Sequence, residues 1–268
     1  MELERPSFEL LSIGNELLIG RTLNTNGWWL ARQITLLGGF CIRMTVIRDD
    51  LEEISNIFRE ILHRSPRFII ASGGLGPTYD DVTLEGLSKA LSISLRLHRD
   101  VLSWISQRYE ELYRRGLTKD PKLTPQREKM AMLPLGSKPL RNPVGVAPGI
   151  LLETGRTKIV CLPGVPEELK AIFEDSIKEE IIRDIGCLHF VESKFTVLDL
   201  GESSIAPIIE EAVKKFSPIV YIKTHPRDRS SNITVEFHVT SQGKDRGLIE
   251  DRVNEAVKYL KENVVKLG

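Results

Sequence analysis

The sequence predicts an α/β fold: a mostly parallel sheet with helices on both faces, followed by a small α+β domain. Three observations predict it. Apolar strand-like runs alternate with helical patterns through the first two-thirds of the chain, the order that folds into a parallel sheet. The third of these strands runs straight into Ser72-Gly73-Gly74-Leu75-Gly76-Pro77-Thr78-Tyr79-Asp80-Asp81, a glycine-rich segment that opens another helix. From about Gly186 the strands and helices continue without any such turn. Residues 1–185 are therefore expected to form one domain and residues 186–268 a second, smaller one.

Residues 8–13 read as the first strand and residues 24–37 as a helix ended by Gly38-Gly39. Residues 40–46 read as the second strand. Asp50 then starts a helix with Glu53 three residues on, a capping-box spacing, and Leu51, Ile54, Phe58 and Ile61 form its apolar stripe. Phe68-Ile69-Ile70-Ala71 is a third, buried strand. Leu102, Ile105, Tyr109, Leu112 and Tyr113 mark a long amphipathic helix, and Thr124-Pro125 caps a further one carrying Arg127 and Lys129.

A rigid connector, Asn142-Pro143-Val144-Gly145-Val146-Ala147-Pro148-Gly149, leads into strands at 150–153 and 157–162, a hairpin turning at Gly155. Leu169, Ile172, Phe173, Ile177, Ile181 and Ile182 line the buried side of the next helix, which Gly186 ends. The charges between Lys170 and Arg183 read as its solvated face. Beyond it come strands at 192–200 and 220–224, helices at 203–216 and 248–263, and an alternating half-buried strand containing Ile233, Val235, Phe237 and Val239. The basic segment 225–231 reads as a mobile loop.

Composition narrows the function. Of 268 residues, 41% are hydrophobic, enough for a real core, and Lys+Arg balance Asp+Glu at 37 each. That balance gives no global field for nucleic acid or a membrane surface. Cys41, Cys161 and Cys187 lie far apart with no Cys-x-x-Cys pair, which argues against structural zinc or a disulfide scaffold, and Cys41 and Cys161 read as buried thiols. No secretory or membrane-length apolar run appears, so a cytoplasmic location is expected. The five histidines, His63, His98, His189, His225 and His238, show no ligand spacing and read as structural or surface residues. Elbow, zincin and kinase motifs have no counterpart in the chain.

The glycine segment carries the chemistry. A strand that ends in glycines before a helix leaves N–H groups to face an anion, and glycine lets the main chain approach it closely. Gly73, Gly74, Gly76, Pro77 and Thr78 are the candidate phosphate cradle. Asp80 and Asp81 carry the wrong charge for a bare phosphate, but suit a divalent cation held against it. A ligand-free turn in which Asp81 or Thr83 caps the next helix is the competing reading.

Two other strand ends carry acids. Glu16 follows the first, with Asn26 close behind; it is placed either to orient a ligand or activate water, or to cap local backbone. Asp49 and Asp50 follow the second, where one caps the helix and the other is free to join Asp80 and Asp81 at a metal. Gly164, Pro166 and Glu167 form another strand–turn–helix transition that is placed to close the pocket or is merely a helix start.

Taken together, these segments resemble a known family. Ile13-Gly14-Asn15-Glu16-Leu17-Leu18-Ile19-Gly20, Thr25-Asn26, Asp49-Asp50, the 72–81 segment, the 142–149 connector and the 162–170 segment are similar to the amino-terminal domain of the CinA, or competence/damage-inducible, family. That domain is similar to the molybdopterin-binding fold of the MogA and MoaB proteins. The match runs in order through about residues 6–185, and the tail resembles the small α+β domain that follows in CinA proteins. The deamidase domain of full-length CinA has no counterpart here.

The resemblance implies a divalent-cation-dependent ADP-ribose pyrophosphatase, giving AMP and ribose 5-phosphate. Magnesium, manganese or cobalt would be held by Asp80, Asp81 and one of Asp49 or Asp50, with Asp81, Asp80 and Glu16 catalytic and Asn26 positioning the nucleotide. The MogA and MoaB relatives imply an alternative, the binding or adenylylation of a pterin in molybdenum cofactor biosynthesis. Those relatives have Thr at the position of Leu75 and Arg-Asp at the position of Asp80-Asp81, which favours the CinA branch. A third expectation is a non-enzymatic nucleotide-binding module. A small-molecule nucleotide or pterin partner and a homo-oligomer are expected, with no nucleic acid or membrane partner.

Overall fold

The structure, a computed structural model, describes residues 6–186, 188–198, 200–229 and 232–266, without the side chains of 227–229, 232 and 233. The chain divides into two compact units, Met1–Thr35 with Gly39–Asp184, and Leu36–Gly38 with Ile185–Gly268. The first unit runs β1 (Ser7–Ile13), α1 (Asn15–Leu18), α2 (Thr25–Leu36), β2 (Phe40–Ile47), α3 (Leu51–Arg64), β3 (Phe68–Ser72), α4 (Thr83–Leu91), β4 (Leu95–Leu97), α5 (Arg99–Arg114) and α6 (Pro125–Lys129). It continues through β5 (Met132–Pro134), β6 (Lys138–Leu140), β7 (Gly149–Thr154), β8 (Thr157–Leu162), α7 (Pro166–Ile172), a π-helical turn (Phe173–Ile177) and α8 (Lys178–Ile185).

Six strands form its sheet in the order β2-β1-β3-β8-β7-β6, and helices flank it. The β1–β2, β1–β3 and β3–β8 pairs are parallel; β7 pairs antiparallel with β8 through the hairpin at Gly155, and β6 pairs antiparallel with β7. Central strand β3 is buried throughout, as an unbroken apolar run covered on both faces requires. The carboxyl ends of β1, β2, β3 and β8 therefore lie along one edge, the place where α/β sheets bind ligands.

Local chemistry accounts for most boundaries. Asp50 Oδ1 accepts from the N–H groups of Glu52 and Glu53 and starts α3. The capping box is half made, because the Glu53 carboxylate pairs instead with Arg48 at 2.7 Å. Ile54, Phe58 and Ile61 are fully buried, each contributing about 2 kcal/mol of apolar burial. Leu51, expected in the same stripe, is exposed because it stands in the first turn at the helix rim. Thr124 caps α6 through the Arg127 N–H, with Pro125 at its first position as read.

Several expectations are corrected. Short strands β4, β5 and β6 and the one-turn α1 have too few residues to show a periodicity. Ile182 is 39% exposed, since the π-helical turn shifts the phase of the face established by Leu169, Ile172 and Phe173. The supposed solvated face contains Glu180 and leads to Asp184, which are mostly buried against Lys158 of β8 and Arg67 ahead of β3. Cys161 is buried, with its thiol pushed up to about 12 by desolvation, whereas Cys41 on edge strand β2 is half-buried.

The second unit contains β9 (His189–Leu198), α9 (Glu202–Phe216), β10 (Val220–Arg229), β11 (Asn232–Gly243) and α10 (Arg246–Val265). Its three strands are antiparallel in the order β10-β11-β9. Val235, Phe237 and Val239 are fully buried, matching the alternation read in the sequence. Segment 225–229, expected in a loop, is strand: His225 pairs with Glu236 and Arg229 with Asn232. Ser230, Ser231 and Cys187, and the side chain of Ile233, lie outside the described residues. Among the described residues no helix is long and apolar enough to cross a membrane.

Candidate functional site

The glycine segment leaves β3 at the carboxyl edge of the sheet. Gly73 has φ +105°, and a Cβ there would lie 2.1 Å from the Ile13 carbonyl oxygen; only glycine fits where β1 and β3 end side by side. Gly74 has φ +66°, with Thr83 Oγ1 pressed against it and donating to the Gly73 carbonyl at 2.8 Å. The turn is thus locked to the start of α4. Thr83, read as a possible cap, bonds backward to the loop instead.

The amides divide into two groups. Gly73 N–H donates to the Leu162 carbonyl and Thr78 N–H to Asp81 Oδ2 at 2.8 Å, so these two expected phosphate donors are already spent. Gly74, Leu75 and Gly76 have no acceptor for their N–H groups among the described residues. Leu75 belongs with the two glycines although its side chain made it unremarkable in the sequence. Pro77 offers no N–H and serves only to stiffen the turn.

The acids also divide. Asp81 Oδ2 accepts from the Thr78 N–H and hydroxyl and so braces the loop from within. The same hydroxyl lies 2.5 Å from Asp80 Oδ1. One hydroxyl proton serves two carboxylates. The Thr78 hydroxyl, the residue's own N–H and the charge of Lys129 hold the partly exposed Asp80 carboxyl below its usual range.

Asp50 is spent on the cap of α3, which corrects its expected metal role. Asp49 is the one that faces the other acids: its Oδ2 accepts from the Asn15 N–H at 2.7 Å, tying β2's end to the start of α1. Burial pushes the Asp49 carboxyl up, and the negative charges of Glu16 and Asp80 push it the same way, against the Asn15 hydrogen bond. Glu16 folds its carboxylate over Gly14, within 2.5 Å of where a Cβ there would sit. No group of three or more His, Cys, Asp and Glu side chains stands close enough to hold a metal among the described residues.

Asn26, in the first turn of α2, donates through Nδ2 to the Gly164 carbonyl at 2.7 Å, and its Oδ1 is buried without a partner. Gly164 in turn packs at ordinary contact distance on the Gly73 Cα, 3.4 Å from its own would-be Cβ. Asn26, Gly164 and Gly73 therefore form one wall. Pro166 stands in the first turn of α7 and removes a donor there, and the exposed Glu167 has no hydrogen bond to the loop. Lys129 went unread as a site residue. From the end of α6 its Nζ donates to the carbonyls of Asp81 at 2.5 Å and Thr78 at 3.0 Å, clamping the acidic turn.

A glycine turn whose Gly74, Leu75 and Gly76 amides have no acceptor among the described residues, flanked by acids from neighbouring strand ends, makes this edge the candidate site. Residues 9–183 match the family model described as "Probable molybdopterin binding domain". The chain belongs to that family. It is 42% identical to a protein of Sulfurisphaera tokodaii, over 97% of this chain and 95% of the other, and 44% identical to one of Metallosphaera sedula, over 96% and 92%. CinA of Thermoplasma acidophilum, a protein of unknown function, superposes with a TM-score of 0.60 at 39% identity, covering 66% of this chain and 99% of that one. The expected CinA-like, MoaB/Mog-type domain is thus present, and the candidate site described above lies wholly within the residues matched.

Proposed function

We propose that the chain binds a phosphorylated pterin of the molybdopterin class at this edge and acts on its phosphate. The observation that carries the reading is the run of Gly74, Leu75 and Gly76 amides without protein acceptors, in a domain of the molybdopterin-binding family. Such a run is an anion-binding concavity, and the carboxyl end of a central strand is where it is effective. Asn26 Oδ1, buried and unpartnered, would accept from a ligand hydroxyl or amine.

Asp49 and Asp80 are hard oxygen donors that suit magnesium or manganese. Bound there, such a cation would neutralise the phosphate charge and relieve the repulsion that Asp49 feels from Glu16 and Asp80. The protein's own part is to fix the donors: Lys129 and Asp81 hold the turn, and Asn15 holds Asp49. Adenylyl transfer from ATP to the pterin phosphate fits this arrangement.

A second reading is hydrolysis of ADP-ribose to AMP and ribose 5-phosphate. The convergence of the Glu16, Asp49 and Asp80 charges favours it, since hydrolysis needs a positioned water as well as a cation. One assay separates the two: purified chain with magnesium, manganese, cobalt or EDTA, given either molybdopterin and ATP or ADP-ribose alone. Adenylylated pterin supports the first reading. AMP release from ADP-ribose with no pterin product overturns it in favour of the second.

A further inference from the structure

The stretch from Leu17 to Arg48 holds no Asp, Glu or Lys, in a chain that is 28% charged. Its only charges are Arg21, Arg32, Arg43 and Arg48. Lys, Glu and Asp are the residues that protein interfaces lose relative to the rest of the surface, while Arg, Met and aromatic residues are enriched there. The stretch folds into the end of α1, α2 and β2, and β2 is the outermost strand on its side of the first unit's sheet.

Part of this stretch serves the core and part faces outward. Gly27, Leu30 and Ile34 are the buried face of α2, and Trp29 meets the Phe173 ring edge-on at 5.1 Å on the flank toward the middle of the sheet. At 100° per residue Trp28 takes the opposite flank, over the edge strand, where it is 68% exposed. Met44 Sδ lies 3.8 Å from Asn24 Nδ2 and close against Gly27, so α2 and β2 meet there. Ile42, left without a partner on β1 by the register shift, is half-exposed, as is Met44. α1 packs beside β2 and adds Leu18 and Ile19, and the 82% exposed Leu23 leads into α2. These six side chains expose on the order of 800 Å², against about 300–600 Å² for the largest apolar patch of an ordinary monomer.

We propose that a second copy of this chain covers the face, in an isologous two-fold contact that sets the two β2 edges and the two Trp28 side chains against each other. Two observations select that occupant. The exposed apolar area matches the roughly 800 Å² that each partner contributes to a standard interface. The outer side of β2 pairs with no strand among the described residues, and the strand carries none of the Lys, Pro or acidic residues that guard an open edge. Such an edge is self-complementary, because a two-fold axis sets it antiparallel to its own copy. The exposed Arg21 and Arg43 stand around the apolar centre, at the rim where a weakly hydrated guanidinium is tolerated. Both copies bring the same charge there, so the contact rests on apolar burial and salt screens what opposes it. It is independent of the ligand reading, although it backs the same elements: Asn26 stands two residues before Trp28 on α2, and Asp49 two residues beyond the end of β2.

Sedimentation equilibrium of the full chain at micromolar concentration, in ~0.1 M and ~1 M salt, tests the contact. The expected mass is twice 30.3 kDa at both salts. Trp28→Glu and Ile42→Glu, at exposed positions that the fold tolerates, each raise the dissociation constant at least about 100-fold with the circular dichroism unchanged. Tyr113→Glu, at an exposed apolar position on α5, leaves the dimer intact. Hydrogen exchange on the wild type needs no variant: the β2 and α2 amides lose protection on dilution below the dissociation constant. A monomer at every concentration, a trimer or larger ring, a dimer that salt dissociates, or a dimer that survives both glutamate variants overturns the proposal. So does β2 exchange that is indifferent to dilution.

Discussion

Asn26 and Gly164 are joined by a 2.7 Å hydrogen bond across 138 residues of sequence, and the bond closes one wall of the candidate site. It pins the first turn of α2 to the loop after β8 and leaves Asn26 Oδ1 buried and unpartnered. In Asn26→Ala the lost bond and the removed orphan acceptor offset each other, so stability changes by less than about 1 kcal/mol. Affinity for the phosphorylated ligand falls about tenfold, the effect of one lost hydrogen bond to a ligand. Thermal melts and a titration of the same preparation check both halves.

Asp49 is held against its own preference. Its folded pKa lies above the ordinary 3.8, so the fold binds the proton more tightly than the unfolded chain does. Stability therefore falls as pH rises from 3.8 through the folded value, and the deficit persists at neutral pH. Asp49→Asn should melt no lower than wild type at pH 7, gain nothing well below pH 3.8, and lose catalytic turnover. A melting point that drops at pH 7 would show that the carboxylate stabilises the fold.

Asp184 behaves in the opposite sense. Burial alone would push its carboxyl up, but hydrogen bonds from Arg67 and Lys158 hold it below 3.8. Its contribution is present above the ordinary value and is lost as pH falls through the folded one. Asp184→Asn leaves Arg67 without its counter-charge and Lys158 with Glu180 and the more distant Glu153, and should cost about 3 kcal/mol, a drop of roughly 10 °C in melting temperature. The ligand site is untouched, so affinity measured well below that temperature should match wild type.

Lys129 is a positioning residue for the acidic turn. Lys129→Met frees the Thr78 and Asp81 carbonyls and removes a charge that keeps the Asp80 carboxyl low. Turnover should fall by up to about 100-fold, as misplaced reacting groups do, and the acid limb of the pH–rate profile should move to higher pH. Lys129→Arg should restore the acid limb more fully than the rate, because it restores charge but not the geometry of two convergent bonds. An unshifted profile in Lys129→Met would reduce the residue to a structural tie.

Local chemistry was legible and long-range pairing was not. The buried β3 run, the Asp50 and Thr124 caps and the Gly155 hairpin each declare themselves within a few residues, and each is found. Which of Asp49 and Asp50 faces the site follows once α3 begins at Leu51, since only its neighbour can cap. The spent amides of Gly73 and Thr78 could not be read, because the partner of the first comes from β8 and that of the second is the inward turn of Asp81. Lys129 carries no motif, reaching a carbonyl 48 residues away that any polar side chain could bind; Asn26 is a candidate in the sequence, but its bond to a carbonyl 138 residues on was not legible. The π-helical turn at Phe173–Ile177 has no compositional mark either.

The most direct test of the central claim is a calorimetric titration of the purified chain with molybdopterin in the presence of magnesium, on wild type and on Gly76→Ala. A Cβ at Gly76 would meet the Asp81 carboxylate first, at 2.6 Å, a side chain that can shift, so the variant can fold while its turn is spread. The account predicts one site in the wild type and at least about tenfold weaker binding in the variant. Equal binding by the two, or none by the wild type, would contradict the assignment of the glycine turn as the phosphate cradle.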